Sequence, residues 1–354
     1  LWISSQRRNS GTTVSLRTVA IGANGSGTRM GLQANDVSLI GRAWTATLRT
    51  MPARRIRVIL NPISGAGRGR SYAPVVAGEL RRRGHFVDVL ETRRRGDARR
   101  WASEIAGWDA ILAIGGDGTV NEVVNGLPRG AEVPLAVLPL GTGNVLAKEL
   151  KLGRGPEAVC RLVDEWNVHW MDCGRIESPP IADEARIERF LMMVGTGFDA
   201  EILHRHHERR GRMTQFTYFI WGLLTVFDYQ APRIRVEVDG RVVEDKATFV
   251  VASNVREYGG PFVFAPHARH DDGILDVMWF RGRFARDVFR ILWAGMFRYA
   301  LEIGDTGYAT GRHVALSSPD RAPLQIDGDP HGFCPVALTV DRQCFPVLVP
   351  ATDA

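Results

Sequence analysis

Cysteine is scarce in this sequence: Cys160, Cys173, Cys334 and Cys344 are the four, with no CxxC pair and no regular spacing. That pattern suggests neither a zinc site nor a disulfide scaffold, and a reducing cytosol fits it best. Uninterrupted apolar runs of about 18 residues are missing as well. The nearest, 216–227, has the length of a buried or interfacial helix, so an integral membrane protein is not expected. No GxxxxGK[ST] sequence occurs, which disfavours a P-loop kinase. Interleaved aromatics, an RNP-like run and a recognition-helix pattern are absent too, and a nucleic-acid partner is not expected.

The chain is long enough for two ordinary domains: 354 residues, 45% hydrophobic and 24% charged. Its net charge of +6 comes mostly from arginine, clustered at 81–83, 93–95 and 99–100 and at Arg205, Arg209, Arg210 and Arg212. Such clusters serve anionic lipid or a nucleotide's phosphates, although charge runs are more often a solvated face. Residues 1–53 read differently. They hold no acid before Asp36, many Ser, Thr and Gly, and little periodicity. This segment is expected to be disordered, or an upstream extension with the natural start at Met51; an arginine-rich transit peptide is the alternative.

From residue 54 strands alternate with helices: strands at 56–60, 85–91, 110–114 and 135–138, helices at 73–83, 98–106, 120–125 and 145–150. Alternation of this kind implies a parallel sheet with helices on both faces, binding ligands beyond the carboxyl ends of its strands. Three turns fall at those ends: Asn61-Pro62-Ile63-Ser64-Gly65, Gly115-Gly116-Asp117-Gly118-Thr119 and Gly141-Thr142-Gly143-Asn144. Glycine lets backbone N–H groups approach an anion, and a helix N-terminus behind the turn favours phosphate. Asp117 could orient the nucleotide's magnesium or a metal-bound water. After about residue 175 short strand-like runs dominate, at 190–194, 234–238, 248–252, 275–280, 313–317, 324–326, 336–340 and 345–349. Two helices interrupt them, at 214–227 and 286–301. The expected organisation is therefore an α/β domain at 54–180 and a mainly antiparallel, β-sandwich-like domain with inserted helices at 181–350.

These motifs, with Glu91-Thr92, Met171-Asp172-Cys173-Gly174, Gly195-Thr196-Gly197-Phe198-Asp199-Ala200, Asp271-Asp272-Gly273-Ile274-Leu275-Asp276 and Asp327-Gly328-Asp329-Pro330, occur in order over most of the chain. Together they resemble the diacylglycerol kinase and sphingosine kinase family of lipid kinases, in its soluble bacterial branch. The resemblance implies ATP and Mg2+-dependent phosphorylation of a lipid hydroxyl, of diacylglycerol or a sphingoid base, in phospholipid metabolism. It implies an ATP site from Asn61, Pro62, Ile63, Ser64, Gly65, Thr92, Gly115, Gly116, Asp117, Gly118, Thr119, Val120, Asn121, Glu122, Gly141, Thr142, Gly143 and Asn144. Asp329 is the expected base, with Asp327, Asp172 and Asp117 as supporting carboxylates. The family usually has Asp-Gly-Glu where this chain has Asp327-Gly328-Asp329. One methylene less shortens reach by roughly 1.5 Å, and displacement of about 1 Å can cost on the order of 100-fold in rate.

By the same resemblance Asp272, with the carbonyls of Arg269 and Ile274, would hold a structural divalent ion, and Asp199 and Glu201 would lie near the acceptor head group. His204, His206 and His207 sit among charged residues, form no metal motif and are expected to be solvated. The apolar segments 216–227 and 289–297, flanked by Arg209, Arg210, Arg212, Arg283, Arg286 and Arg298, suit an acyl-binding or membrane-docking face. The implied partners are ATP, a lipid and an anionic membrane touched peripherally by a cytoplasmic protein, with a homodimer admitted. Two other readings share the motifs: an NAD kinase, and a nucleotide-binding regulator weakened in transfer by Asp329.

Overall fold

In the computed structural model the described residues are 2–7, 12–17, 52–178, 189–208, 230–259, 262–282 and 285–351. Trp2–Arg7 (β1) and Thr12–Arg17 (β2) pair antiparallel within one unit, Leu1–Met51. A second unit, Pro52–Ala354, carries everything that follows.

Its first half alternates Arg55–Leu60 (β3), Arg68–Arg82 (α1), Phe86–Glu91 (β4), Asp97–Ser103 (α2), Ala110–Gly115 (β5), Asp117–Gly126 (α3), Leu135–Pro139 (β6), Val145–Glu149 (α4) and Pro156–Glu165 (α5). Strands β4, β3, β5 and β6 pair in that order, all parallel. β5 and β6 are buried along their whole length, which explains their uninterrupted apolar sequence. Helix α1 packs with α5, and α2 with α3.

The second half contains Val168–Ser178 (β7), Arg189–Phe190 (β8), Met193–Gly197 (β9), Phe198–Glu208 (α6), Ile234–Val238 (β10), Arg241–Ala247 (β11), Phe249–Ser253 (β12), Leu275–Phe280 (β13), Ala285–Met296 (α7), Thr306–Gly311 (β14), Val314–Ser317 (β15), Pro323–Ile326 (β16), Asp329–Phe333 (β17) and Val336–Leu348 (β18). Six of these strands form an antiparallel sheet in the order β14-β13-β12-β9-β16-β17. Against it lie β10, β15 and β18, so that Val194, Val250, Val277 and Leu324 from one layer meet Val236, Leu316 and Leu338 from the other in one apolar core.

The last strand departs from the expected plan. The runs at 336–340 and 345–349 are one strand, β18, with an irregular register between Asp341 and Phe345. Its end lies parallel to β6, Val347 opposite Leu135, so the C-terminal segment completes the N-terminal sheet. β7, β11, β14, β17, α5 and α6 carry no strand or helix expectation. In β7 the run Asp172-Cys173-Gly174 reads as a loop, and β14 contains two glycines, weak strand formers by composition. The helix expected at 214–227 lies outside the described residues.

One disulfide corrects the cysteine reading: Cys173 on β7 and Cys344 on β18 are bonded, with Cα atoms 5.6 Å apart. No spacing rule reaches 171 positions; antiparallel pairing of the two strands brings the residues together.

Candidate functional site

Three turns meet beyond the carboxyl ends of β3, β5 and β6. Asn61 leaves β3 with its N–H bonded to the carbonyl of Ile114 at 2.9 Å. Its side chain accepts the N–H of Ile63 at 3.2 Å and donates to Thr119 Oγ1 at 3.1 Å, tying the first turn to the second. A Cβ on Gly116 would stand 2.9 Å from the Cα of Gly141, and one on Gly141 would stand 2.7 Å from the Cα of Gly116. Only glycine at both positions allows the second and third turns to touch backbone to backbone. Gly118, in the first turn of α3, has nothing within 4 Å of where a Cβ would be, so it faces open space.

The carboxylates around these turns have different tasks. Asp117 opens α3, and its carboxylate accepts the N–H groups of Asn144, Val145 and Leu146. It thereby caps α4, whose own N-cap residue supplies no side-chain bond. Burial pushes the Asp117 carboxyl up, against the pull of those donors. Asp327 accepts the N–H groups of Leu191, Met192 and Met193 at 2.8, 2.9 and 3.0 Å and the side-chain amide of Asn121 at 2.8 Å. It fastens α3 to the chain between β8 and β9. Burial raises its carboxyl to about 6, with the four donors opposing. Four N–H donors fill the acceptor positions of Asp327 and leave none for a cation, while three hold Asp117 to the start of α4.

Asp329 differs from both. It opens β17, its side chain is 48% exposed, and Oδ2 accepts from Arg95 Nη2 at 2.6 Å. Gly328 N–H donates to Gln325 Oε1 at 2.8 Å, and Gln325 Nε2 donates to Asp199 Oδ2 at 3.1 Å, so the turn that carries Asp329 is fixed from beneath.

A cleft of about 760 Å³ joins these parts, within the range of small-molecule sites, ~300–1,000 Å³. Asn61, Ser64, Gly116, Gly118 and Thr119 form one wall, Arg95, Arg99, Arg100 and Ser103 another, and Asp327 and Asp329 the third. Asn121 and Glu122 also line it; Glu122 accepts the N–H of Gly96 at 3.0 Å, and burial raises its carboxyl. Thr92, at the end of β4, bonds through its N–H to Leu60 and is not among the lining residues, nor is Thr142. The arginines of the cleft were readable only as charge runs. What singles them out is Gly96, which turns the chain in a left-handed conformation (φ 89°) so that α2 starts at the cleft. By contrast the 81–83 cluster is structural: Arg83 pairs with Glu79, Glu157 and Asp164, and Arg81 donates to the Val87 carbonyl. Arg189, which donates to the carbonyls of Val124 and Leu127 at the end of α3, had no sequence signal at all.

Several expected residues lie elsewhere. Asp172 is buried on β7 and accepts the N–H groups of Gly273 and Gln343 at 2.6 and 2.7 Å; it braces the 269–274 loop and does not line the cleft. In that loop Asp272 accepts the N–H of Ile274 at 3.1 Å. Burial raises its carboxyl, and the nearby Asp172 and Asp271 add to the rise. Crowded carboxylates of this kind fit a hard cation among oxygen donors. Asp199 is fully buried beneath α7, hydrogen-bonded by Tyr258 and Gln325 in an apolar cavity of about 20 Å³ that is lined also by Phe198, Phe264 and Ile291. Burial pushes its carboxyl up. Glu201 pairs with Arg205 at 2.6 Å on α6. Neither reaches the cleft. His204 is not solvated as expected, since its Nε2 lies 3.0 Å from the Leu324 carbonyl.

Residues 55–176 match the family described as diacylglycerol kinase catalytic domain, and residues 192–349 match the YegS C-terminal NAD kinase beta sandwich-like domain. Among curated proteins, the "Diacylglycerol kinase" of Mycobacterium tuberculosis is 29% identical over 302 residues, 83% of this chain and 94% of that one. The "Probable lipid kinase YegS-like" of Pseudomonas aeruginosa is 30% identical over 223 residues, 62% and 70% of the two chains. A diacylglycerol kinase crystal structure from Bacillus anthracis superposes with a TM-score of 0.62 at 21% identity, covering 86% of this chain and 99% of that one; it shares the fold.

Proposed function

The chain belongs to the family of diacylglycerol kinases and YegS-like lipid kinases, and from that premise we propose that it transfers the γ-phosphoryl group of ATP to a hydroxyl of diacylglycerol or a related lipid such as a sphingoid base. The observation that carries the reading is the half-exposed carboxylate of Asp329 opposite the glycine turns, in one cleft, where it pairs with Arg95.

Phosphoryl transfer asks the protein for position and charge. In this reading the Gly116 and Gly118 turn and the start of α3 receive the phosphates, and Asn61 with Thr119 holds the two turns at fixed spacing. Arg95 exchanges Asp329 for the γ-phosphate as the nucleotide enters. Asp329, released, takes the proton of the acceptor hydroxyl as that oxygen attacks phosphorus. The bond from γ-phosphorus to the bridging oxygen breaks, and ADP leaves. Magnesium, arriving on the nucleotide, would neutralise phosphate charge; Asp327, its acceptor positions filled by four N–H donors, would not hold it. Asp327 instead holds the Asp329 turn against Asn121 of α3.

The lipid is proposed to be met at α7. Phe289, Trp293 and Phe297 follow one another at four-residue steps, all exposed, while Val288, Ile291 and Ala294 face the core. Arg286, Arg290 and Arg298 border the aromatic stripe, a combination suited to an anionic bilayer surface. Of the other flanking arginines, Arg209, Arg210, Arg212 and Arg283 lie outside the described residues. No helix among the described residues is long and apolar enough to cross a membrane.

The test is a labelled-ATP assay with diacylglycerol, a sphingoid base and NAD offered in parallel. Label in a lipid supports the reading. Label in the dinucleotide alone, or ATP binding with no labelled product from any acceptor, overturns it.

A further inference from the structure

We infer that His169, His270 and Asp271 form a centre for a zinc-class transition ion, separate from the nucleotide cleft and made of different side chains from the oxygen-donor loop at Asp272. One ligand atom from each residue lies within 4.8 Å of the others. The two imidazoles approach through Nε2, 3.1 Å apart, with ring centroids 5.0 Å apart and planes at 75°. Two imidazole nitrogens bound at ~2.0–2.1 Å to one tetrahedral ion stand about 3.3 Å from each other. The rings therefore already converge as two ligands of one ion must.

A plain hydrogen bond between the two rings accounts for the 3.1 Å contact and for nothing beyond it. Two carboxylates extend the arrangement. Asp271 brings a carboxylate oxygen within 4.8 Å of a ring nitrogen of each histidine. On the other side of His270, Nδ1 lies 3.5 Å from Oε1 of Glu149, whose side chain is only 2% exposed. Glu149 is itself fixed by the N–H groups of Arg256 and Glu257 at 3.1 and 3.2 Å. At that distance the contact is an approach and not a formed hydrogen bond, and a buried carboxylate beside the far nitrogen is the usual outer partner of a metal-bound histidine.

The backbone beneath is fixed as well. His169 is the second residue of β7, opposite Val347 of β18, and the carbonyl of His270 accepts the N–H of Asp172 at 2.8 Å. Two neutral imidazoles and one carboxylate leave a position for water in a tetrahedral ion, and their nitrogen content favours zinc or cobalt over magnesium or calcium. An ion there would pin the start of β7 to the 269–274 loop. The two histidines are 101 positions apart, which is why no spacing motif reveals them.

The experiment is a Co2+ titration of the full chain, stripped by chelation and kept in excess Mg2+ so that oxygen-donor sites are filled. The expected result is one equivalent bound with intense visible d–d bands, displaced by Zn2+. His169→Ala and His270→Ala abolish the bands. Asp271→Asn, at an exposed position that tolerates change, weakens Co2+ binding by roughly 10-fold or more, and Glu149→Gln by about 10–100-fold. Asp272→Asn leaves the bands in place. Weak octahedral absorption in the wild type, or a titration that Asp271→Asn and His169→Ala leave unchanged, overturns the inference. Should the histidine variants fail to fold, Asp271→Asn decides it alone.

Discussion

The guanidinium of Arg95 meets the carboxylate of Asp329 at 2.6 Å, joining residues 234 positions apart. Arg95 belongs to the loop between β4 and α2, and Asp329 opens β17, so the contact spans the cleft from the parallel sheet to the sandwich. The two side chains are 61% and 48% exposed. A pair of that kind contributes only about 0–1 kcal/mol to stability, so it can open without cost to the scaffold.

Arg95→Ala should therefore leave the unfolding midpoint nearly unchanged while raising the KM for ATP by roughly 10-fold, a loss of about 1.4 kcal/mol from a phosphate-binding cation. Steady-state kinetics with a parallel thermal melt separates the two. A destabilised variant with unchanged KM would assign Arg95 to the scaffold.

Asp327 makes a prediction about pH. Its carboxyl is raised to about 6, above the ~3.9 of an unfolded chain. The folded protein thus binds a proton that the unfolded chain releases, and this group's contribution to stability is full below pH ~4 and lost as pH rises through ~6. Urea midpoints of the wild type minus those of Asp327→Asn should decline across that window. The asparagine variant should also be weaker by about 1–3 kcal/mol, because its NH2 group faces N–H donors that need an acceptor. Parallel pH profiles would contradict the assignment.

The touching turns separate two glycines. Gly116→Ala forces a Cβ against Gly141 and should cost about 1–3 kcal/mol, with loss of ATP affinity. Gly118→Ala meets nothing within 4 Å in the protein. It should keep the wild-type melting temperature and still bind ATP less tightly, since the methyl group projects toward the phosphates. Equal affinities in Gly118→Ala and wild type would move the phosphates elsewhere.

At α7, Trp293 and Phe297 are 57% and 56% exposed and contact each other with ring centroids 4.7 Å apart. Burying such a side chain in lipid is worth about 1.5–3 kcal/mol. Trp293→Glu should lower affinity for anionic vesicles by 10-fold or more in a sedimentation assay, with ATP affinity unchanged. Vesicle binding equal to wild type would remove α7 from the membrane contact.

The sequence exposes some of this arrangement and hides the rest for identifiable reasons. The alternation from 54 onward and the three turns are visible because β3, β5 and β6 are short apolar runs followed by glycine or asparagine, and local pattern is enough to place them. Asp329 is visible through the Asp-Gly-Asp run that follows a strand-like stretch, although in the structure it opens the next strand, β17. The tasks of Asp117 and Asp327 are not, since a carboxylate that caps α4 or gathers four N–H donors looks the same in sequence as one facing a ligand. The same limit conceals Asp172, the Cys173–Cys344 bridge and the His169–His270 pair. All depend on where β18 and the 269–274 loop return, and neither return leaves a local signal.

The central claim, that Asp329 is the base of a lipid phosphorylation fed by the glycine-turn cleft, is tested most directly by wild type, Asp329→Asn and Asp329→Glu with labelled ATP and diacylglycerol micelles. Turnover by wild type, a fall of about 10²–10⁴-fold in Asp329→Asn with ATP affinity retained, and turnover at or above wild type in Asp329→Glu are the results expected. Labelled lipid formed by Asp329→Asn at the wild-type rate would contradict it.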